Sequence, residues 1–565
     1  MLPRAFVRPL VVAIALAGSS HAWSAGAEVP VISTSSQGTS NANAAEANDA
    51  SVIFYNPAGM ARLHGTNISQ PFTVIMASTK VRDTGTTRVQ DMGQAPDTAN
   101  SADCSTYDCM STYNANPGAQ PQQPAVGDQP AGIFPAALPV PALFASTPFN
   151  DMITVGLGVF SPGGGNLNYK ADWFGRYFID SAAIETVNIN PSIAVRFDDK
   201  HSIGFGVSVL AGHAKFKEQI DVNKIGPYLL QPVLSNAGTV GDSIAGSIPL
   251  LGNALQNSGL GGLLGNTVSQ VWNQLPDTLK QQLGAGLAQG AIDPASTASA
   301  TIETIGFGYG WNVGYMYQFT DKTRLSLSYR SKSDIRMNGD LDWDLENVKG
   351  TALGDTLTGG NLSDYLIQYF RPDTDARLIF TIPAKFNVGF FTELTDKLDF
   401  MASYTFNKTS VIKEITIELP NQTTDVKQGN PVIAQNWRDS FTAAMGVNYH
   451  WNDKLTLRTG VQFDQTPISS EKYRNPALAD NDRWMGSVGL GYKIDKNTSL
   501  DLAYSYLYIL PSDANFHETC SGTYYEREDN SVGGASECTA NGGTFRAHFY
   551  DSHAHIFGLQ LNKRL

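Results

Sequence analysis

The chain has 565 residues, and 39 Lys and Arg against 52 Asp and Glu leave a formal charge of −13, which argues against nucleic acid as a partner. Only 16% of residues are charged while 10% are aromatic and 53 are glycine, a mix unlike that of a disordered chain. Past the leader, no stretch holds the roughly 18 uninterrupted apolar residues of a spanning helix, so any passage through a membrane must use strands.

At the N-terminus, Arg4 and Arg8 precede an apolar run from Leu10 to Ala17 and then Ser20-His21-Ala22, the pattern of a cleaved secretory signal over residues 1–22. Ala25-Gly26-Ala27 offers an alternative cut after residue 27. The segment 23–66 follows, small and polar through Ser36 to Ala42 and ending in Phe54-Tyr55-Asn56-Pro57-Ala58-Gly59-Met60. Lying ahead of the first strand, it is expected to fold inward as a plug. Cys104 with Cys109, and Cys520 with Cys538, form two local pairs in polar connectors. Four cysteines allow three connectivities, and loop closure favours the two local disulfides, as suits an exported protein.

Residues 67–565 are read as the barrel region, and from about residue 304 onward the chain alternates with period two. In the run Phe307, Tyr309, Trp311, Val313, Tyr315, Tyr317, Phe319, one face is aromatic or apolar, while Gly308, Gly310, Asn312, Gly314, Met316 and Gln318 make up the other. The spacing predicts about fourteen strands, at 67–80, 134–147, 151–161, 186–198, 201–218, 304–320, 322–339, 377–394, 397–417, 437–451, 453–466, 482–495, 497–510 and 545–562. Pro162 and Gly163 to Gly165 end the third early. Tight turns such as Thr320-Asp321-Lys322 alternate with long connectors, as in an outer-membrane barrel with short periplasmic turns and long external loops. The fold class is therefore all-β, a transmembrane antiparallel barrel.

The stretch 219–303 departs from this period. Leu250, Leu251, Leu255, Leu263, Leu264 and Trp272 recur at helical spacing, which predicts short amphipathic helices in an external loop with an apolar groove. His548, His553 and His555 lack any accompanying metal-ligand spacing, so neither metal nor cofactor is expected. No Gly-x-Ser-x-Gly or phosphate loop is present; Gly241-Asp242-Ser243-Ile244 is the sole hint of an esterase, and the chain is read as a non-enzyme.

The segment from Asn48 through Asn56-Pro57-Ala58 to Leu63 resembles the FadL/TodX family of outer-membrane transporters, with Asn-Pro-Ala as the family's hatch signature. Gly306 to Gly314, Leu327-Ser328-Tyr329-Arg330-Ser331, Phe463 to Ile468 and Asp480-Asn481-Asp482-Arg483-Trp484 follow in collinear order. The resemblance implies a fourteen-stranded barrel with an N-terminal hatch and an external capture groove. It also implies a deeper pocket and passive release of ligand sideways through a wall gap at a kinked third strand. The expected ligand is a long-chain fatty acid or another hydrophobic small molecule, and a carboxylate needs a cation: Lys215, Lys217 and Lys413 lie near the family's basic pocket positions, with Arg330 as a fourth candidate. The expected setting is the Gram-negative outer membrane, with a monomer surrounded by lipid that includes lipopolysaccharide. A general aqueous porin is the runner-up, and a lipid esterase ranks below it.

Overall fold

The computed structural model describes residues 31–89, 122–124, 131–133, 137–170, 172–220, 292–293, 296–351, 362–364, 373–420, 432–478, 480–517, 525–526, 532–533 and 544–565. Fourteen antiparallel strands, several of them interrupted, close into one barrel. They are β1 Asn67–Asp83, β2 Leu138–Pro141 with Leu143–Pro148, β3 Ile153–Phe160 with Gly164–Asn168, β4 Ser181–Arg196, β5 His201–Ile220, β6 Ala298–Thr320 and β7 Thr323–Arg330 with Ser333–Asp344. The circuit continues with β8 Thr374–Ile382 and Lys385–Thr395, β9 Leu398–Asn407 and Glu414–Glu418, and β10 Val432–Ala434 and Ser440–His450. It is completed by β11 Leu455–Asp464, β12 Arg483–Lys493, β13 Thr498–Ile509 and Ser512–His517, and β14 Thr544–Arg564. Closure is made by β1 against β14, from Asn67 opposite Arg564 to Asp83 opposite Ala547. A closed sheet leaves no edge for hydrocarbon to strip of partners.

The period-two pattern sorts as expected. Phe307, Tyr309, Trp311 and Phe319 of β6 and Ile203, Phe205, Val207 and Val209 of β5 are exposed on the outer wall, while Asn312 and Met316 are buried inside. The tight turns gather at one end, where the amide of Leu565 also donates to the carbonyl of Thr66 at 2.8 Å. At the opposite end the strands outrun the sequence reading: β4 starts at Ser181, β6 at Ala298, and β7 reaches Asp344. These extensions keep the alternation but not the greasy outer face, which is why their ends were not visible in composition.

Inside lies the N-terminal segment, with two short helices, α1 Thr34–Gln37 and α2 Val52–Tyr55, and a 3-10 turn at Pro57–Arg62. Nearly every residue from Val31 to Ala45 is buried. The signal region, the four cysteines, and Leu250, Leu251, Leu255, Leu263, Leu264 and Trp272 lie outside the described residues. The flanks of the 219–303 stretch are strand, since Ile220 ends β5 and Ala298 begins β6.

Candidate functional site: hatch, lumen and wall

The chain leaves α2 at Asn56, whose extended backbone (φ −156°, ψ 106°) breaks the helix. Its Oδ1 accepts from the Ala58 amide at 2.9 Å, capping the 3-10 turn that Pro57 begins. Its Nδ2 donates to Ser326 Oγ at 2.6 Å and to the Tyr315 carbonyl at 3.1 Å. One side chain thus shapes its own turn and pins it to β6 and β7. Two wall glycines allow so close an approach: a methyl group on Gly204 would strike the Pro57–Ala58 backbone, and one on Gly314 would strike the Asn56 amide.

Three further residues of strand β7 hold the hatch. Arg324 donates to the carbonyls of Ala45 (2.5 Å) and Glu46 (2.7 Å), Ser328 to that of Tyr55 (2.8 Å), and Arg330 to that of Phe54 (3.0 Å). On the far wall, Gln560 Oε1 accepts from the Thr34 amide at 2.9 Å and Gln37 donates to the Ile556 carbonyl at 2.9 Å. The sequence reading missed Gly204, Arg324 and Ser326; for the last two, the inward polar face of β7 was the available signal. Glu46 is buried in the hatch, and burial pushes its carboxyl up to about 6 against the opposing pull of the Arg458 guanidinium and a hydrogen bond from Asn448.

Above the hatch the lumen has two unlike halves. Ile75, Leu138, Val140, Met485, Leu507, Ala554 and Ile556, from β1, β2 and β12 to β14, form one apolar cluster with hatch residue Val31. On the other side, one cross-strand row runs Gly206, Asn312, Arg330, Lys385, Asn407, Ser440 over β5 to β10, each residue directly opposite the next. Asn312, Arg330, Lys385 and Asn407 border an open space of about 900 Å³ whose walls also include Phe54, Tyr55 and Pro57.

The wall is interrupted beside the hatch. The ladder between β2 and β3 covers only Leu143 opposite Val159 to Pro148 opposite Thr154. Beyond it, among the described residues, Leu138–Pro141 pair with β1 alone and Gly164–Asn168 with β4 alone. Against β4, the register steps from Phe160 opposite Asn188 to Gly164 opposite Glu185, so β3 carries one residue more than its partner there. The Gly163 amide is taken up by Thr186 Oγ1 at 3.1 Å instead of by the ladder. Ala142, Phe144 and Phe160 at this break pack with Ile53, Ala58 and Met60 of the hatch in a single cluster. At the outer end, Tyr169, Trp173 and Phe174 pack on Phe516, Phe545 and Phe549, an aromatic core that the sequence reading did not single out.

The four candidate cations separate. Arg330 is lumenal, its guanidinium 5.2 Å from the ring centre of Phe54 and 5.6 Å from that of Phe160. Lys215 and Lys217 are not: Phe216 between them packs on the inner aromatic cluster, which turns both lysines to the outer face. There Lys215 pairs with Glu303 at 2.8 Å. Lys413 sits where β9 meets β10, its Nζ 3.5 Å from Asn436 Oδ1. Lys385 and Asn407 are the lumenal residues that sequence reasoning missed. Among the described residues, no group of His, Cys, Asp and Glu is arranged to hold a metal ion.

A family model described as "Outer membrane protein transport protein (OMPP1/FadL/TodX)" matches residues 15–565. The outer membrane protein NMB0088 of Neisseria meningitidis serogroup B is 24% identical, over 96% of this chain and 95% of that protein. The long-chain fatty acid transport protein of Escherichia coli K12 is 23% identical, over 65% of this chain and 70% of that one. Among solved structures, a Pseudomonas aeruginosa FadL homologue superposes with a TM-score of 0.64 at 20% identity, covering 95% of this chain and 99% of that one.

Proposed function

The chain belongs to the outer membrane protein transport protein family (OMPP1/FadL/TodX), and from that premise we propose that it admits long-chain fatty acids or similar hydrophobic compounds by passive diffusion, releasing them sideways past the hatch. As a family member it is a multi-pass barrel of the outer membrane and a transport channel, not an enzyme. The observation that carries the lateral route is the break between β2 and β3. It lies where the apolar half of the lumen, continued by Ala142 and Phe144, meets the hatch.

The physics of the ligand fits this path. Each buried methylene gains about 0.8 kcal/mol, so a long acyl chain favours the apolar face of β1, β2 and β12 to β14 over water. Its carboxylate is met across the lumen by Arg330 and Lys385, adjacent in the same row. Capture at the cell surface falls to the apolar stretch between β5 and β6, and the cysteine pairs staple neighbouring external connectors. The barrel works as a monomer in contact with lipopolysaccharide.

A bulky side chain at the break tests the route. Ala142→Trp should lower uptake of labelled oleate at least fivefold in cells lacking other such transporters, while the heat-modifiable folded band and surface exposure stay intact. Unchanged uptake by a folded Ala142→Trp barrel would remove the lateral route. An aqueous porin would instead pass small hydrophilic solutes freely in the wild type.

A further inference from the structure

The outer face of the two closing strands carries a charged collar that the transport route does not use, and a bulge in β14 builds it. As far as Ser78 opposite His553 the strands advance together, but Lys80 stands opposite Tyr550, so β14 carries one residue more than β1 there. Asp551, with φ 51°, sits in that bulge. The extra residue reverses the alternation. Ala554 and Ile556 are buried inside on the short-turn side of the bulge, Ala547 and Phe549 on the other. Tyr550, His548 and Arg546 are thereby turned to the outer face, beside Lys80 and Arg82 of β1.

Charge in this collar does not balance. Arg82 and Arg546 are both exposed. Arg82 lies directly opposite His548, and Arg546, two places along β14, is its diagonal neighbour. Such neighbours lie about 7–8 Å apart, a gap that one phosphate fills between two guanidinium groups. The carboxylates close by are engaged: Asp551 pairs with Lys80 at 2.6 Å, and Asp513 holds His548 Nδ1 at 2.7 Å. Asp83, on the inward side opposite Ala547, accepts from the amides of Gly85 and Thr86 at 3.1 and 2.7 Å. Arg546 is braced through its Nε, which donates to Asn515 Oδ1 at 3.1 Å, and that bond does not occupy its terminal nitrogens.

The height of the collar selects its partner. Next to it the same strands expose Met76, Tyr506, Tyr508 and Phe557, the apolar and aromatic border of the hydrocarbon. The collar stands beyond that border at the end away from the short turns, level with the headgroups of the outer leaflet. We propose that Arg82 and Arg546 grip a phosphate of a lipopolysaccharide headgroup, its lipid A part, and fix one such lipid against the seam where β1 and β14 close the barrel. This deepens the lipopolysaccharide contact proposed above and rests on it, and it is independent of what the channel carries.

The test is binding to full-length protein in detergent micelles, read by native mass spectrometry, with bisphosphorylated lipid A, lipid A stripped of phosphate, and inorganic phosphate as probes. The wild type should hold bisphosphorylated lipid A about tenfold more tightly than the stripped form, the worth of a charge-assisted hydrogen bond. Arg82→Gln combined with Arg546→Gln should abolish that difference while the heat-modifiable folded band and oleate uptake stay intact. Equal binding of both lipid A forms by the wild type, a comparison that needs no variant, would overturn the proposal, as would a difference that persists in the folded double variant. Inorganic phosphate that displaces lipid A at equal concentration would overturn lipid docking in favour of a simple anion site. No binding of either form would overturn the lipopolysaccharide contact itself. Wild-type protein that holds lipid A through phosphate yet takes up no oleate would support this proposal and overturn the transport reading alone.

Discussion

Asn56 joins two tasks that are separable by substitution. Its carbonyl oxygen caps the turn at Pro57, and its amide nitrogen holds Ser326 and Tyr315 of the wall. Losing a cap costs about 0.5–2 kcal/mol and losing a wall hydrogen bond about 1 kcal/mol more. Neither bond belongs to the strand ladder. Asn56→Ala with Pro57→Ala should therefore leave the barrel assembled while loosening the hatch, and small-ion conductance in planar bilayers should rise. Conductance at the wild-type level, with normal hydrophobic uptake, would show that the motif is dispensable for seating the plug.

At the scale of the element, the hatch carries its own pH response. Glu46 faces Arg458, Arg324 and Asp49, and shares a cavity with Asp399, Asp501 and His450. With its carboxyl raised from 4.5 to about 6, the seated hatch prefers the protonated acid. The resulting stabilisation, about 2 kcal/mol, is complete below pH 4.5 and is lost as pH rises through 6. Opening events in bilayer recordings should be rarer at pH 5 than at pH 7.5, and Glu46→Gln should flatten the difference. A pH dependence unchanged in Glu46→Gln would show that Glu46 does not set it. The capture role proposed for the stretch between β5 and β6 is testable separately. Deleting residues 240–290 should reduce oleate capture severalfold yet keep the folded band, because the closing ladder of β1 and β14 lies elsewhere. Loss of the folded band would make the loop a structural part.

For the whole molecule, the strands were legible because one solvent is hydrocarbon: where lipid demands an apolar outer face, as at Phe307 to Phe319, alternation fixes both the strand and its orientation. Beyond the membrane that demand lapses. Around Lys215 and Lys217 the rule inverts, with the aromatic Phe216 inside and the charges outside, which is why two of the four cation candidates were placed on the wrong face. Asn56-Pro57-Ala58 was legible through its resemblance to a family hatch signature, and Pro162 with its glycines as a strand break. The row of Asn312, Arg330, Lys385 and Asn407 was not, since it exists only through the register of four strands. On the proposed route the ligand leaves through the wall between β2 and β3 rather than along the axis. Photo-crosslinking with a diazirine-bearing palmitate during uptake, followed by peptide mapping, tests this most directly. Adducts are expected on Leu138 to Phe144 and on Phe160 to Asn168; adducts concentrated instead on Arg62, His64, Lys200 and His201, at the rim of the short turns, would mean axial exit past the hatch and contradict it.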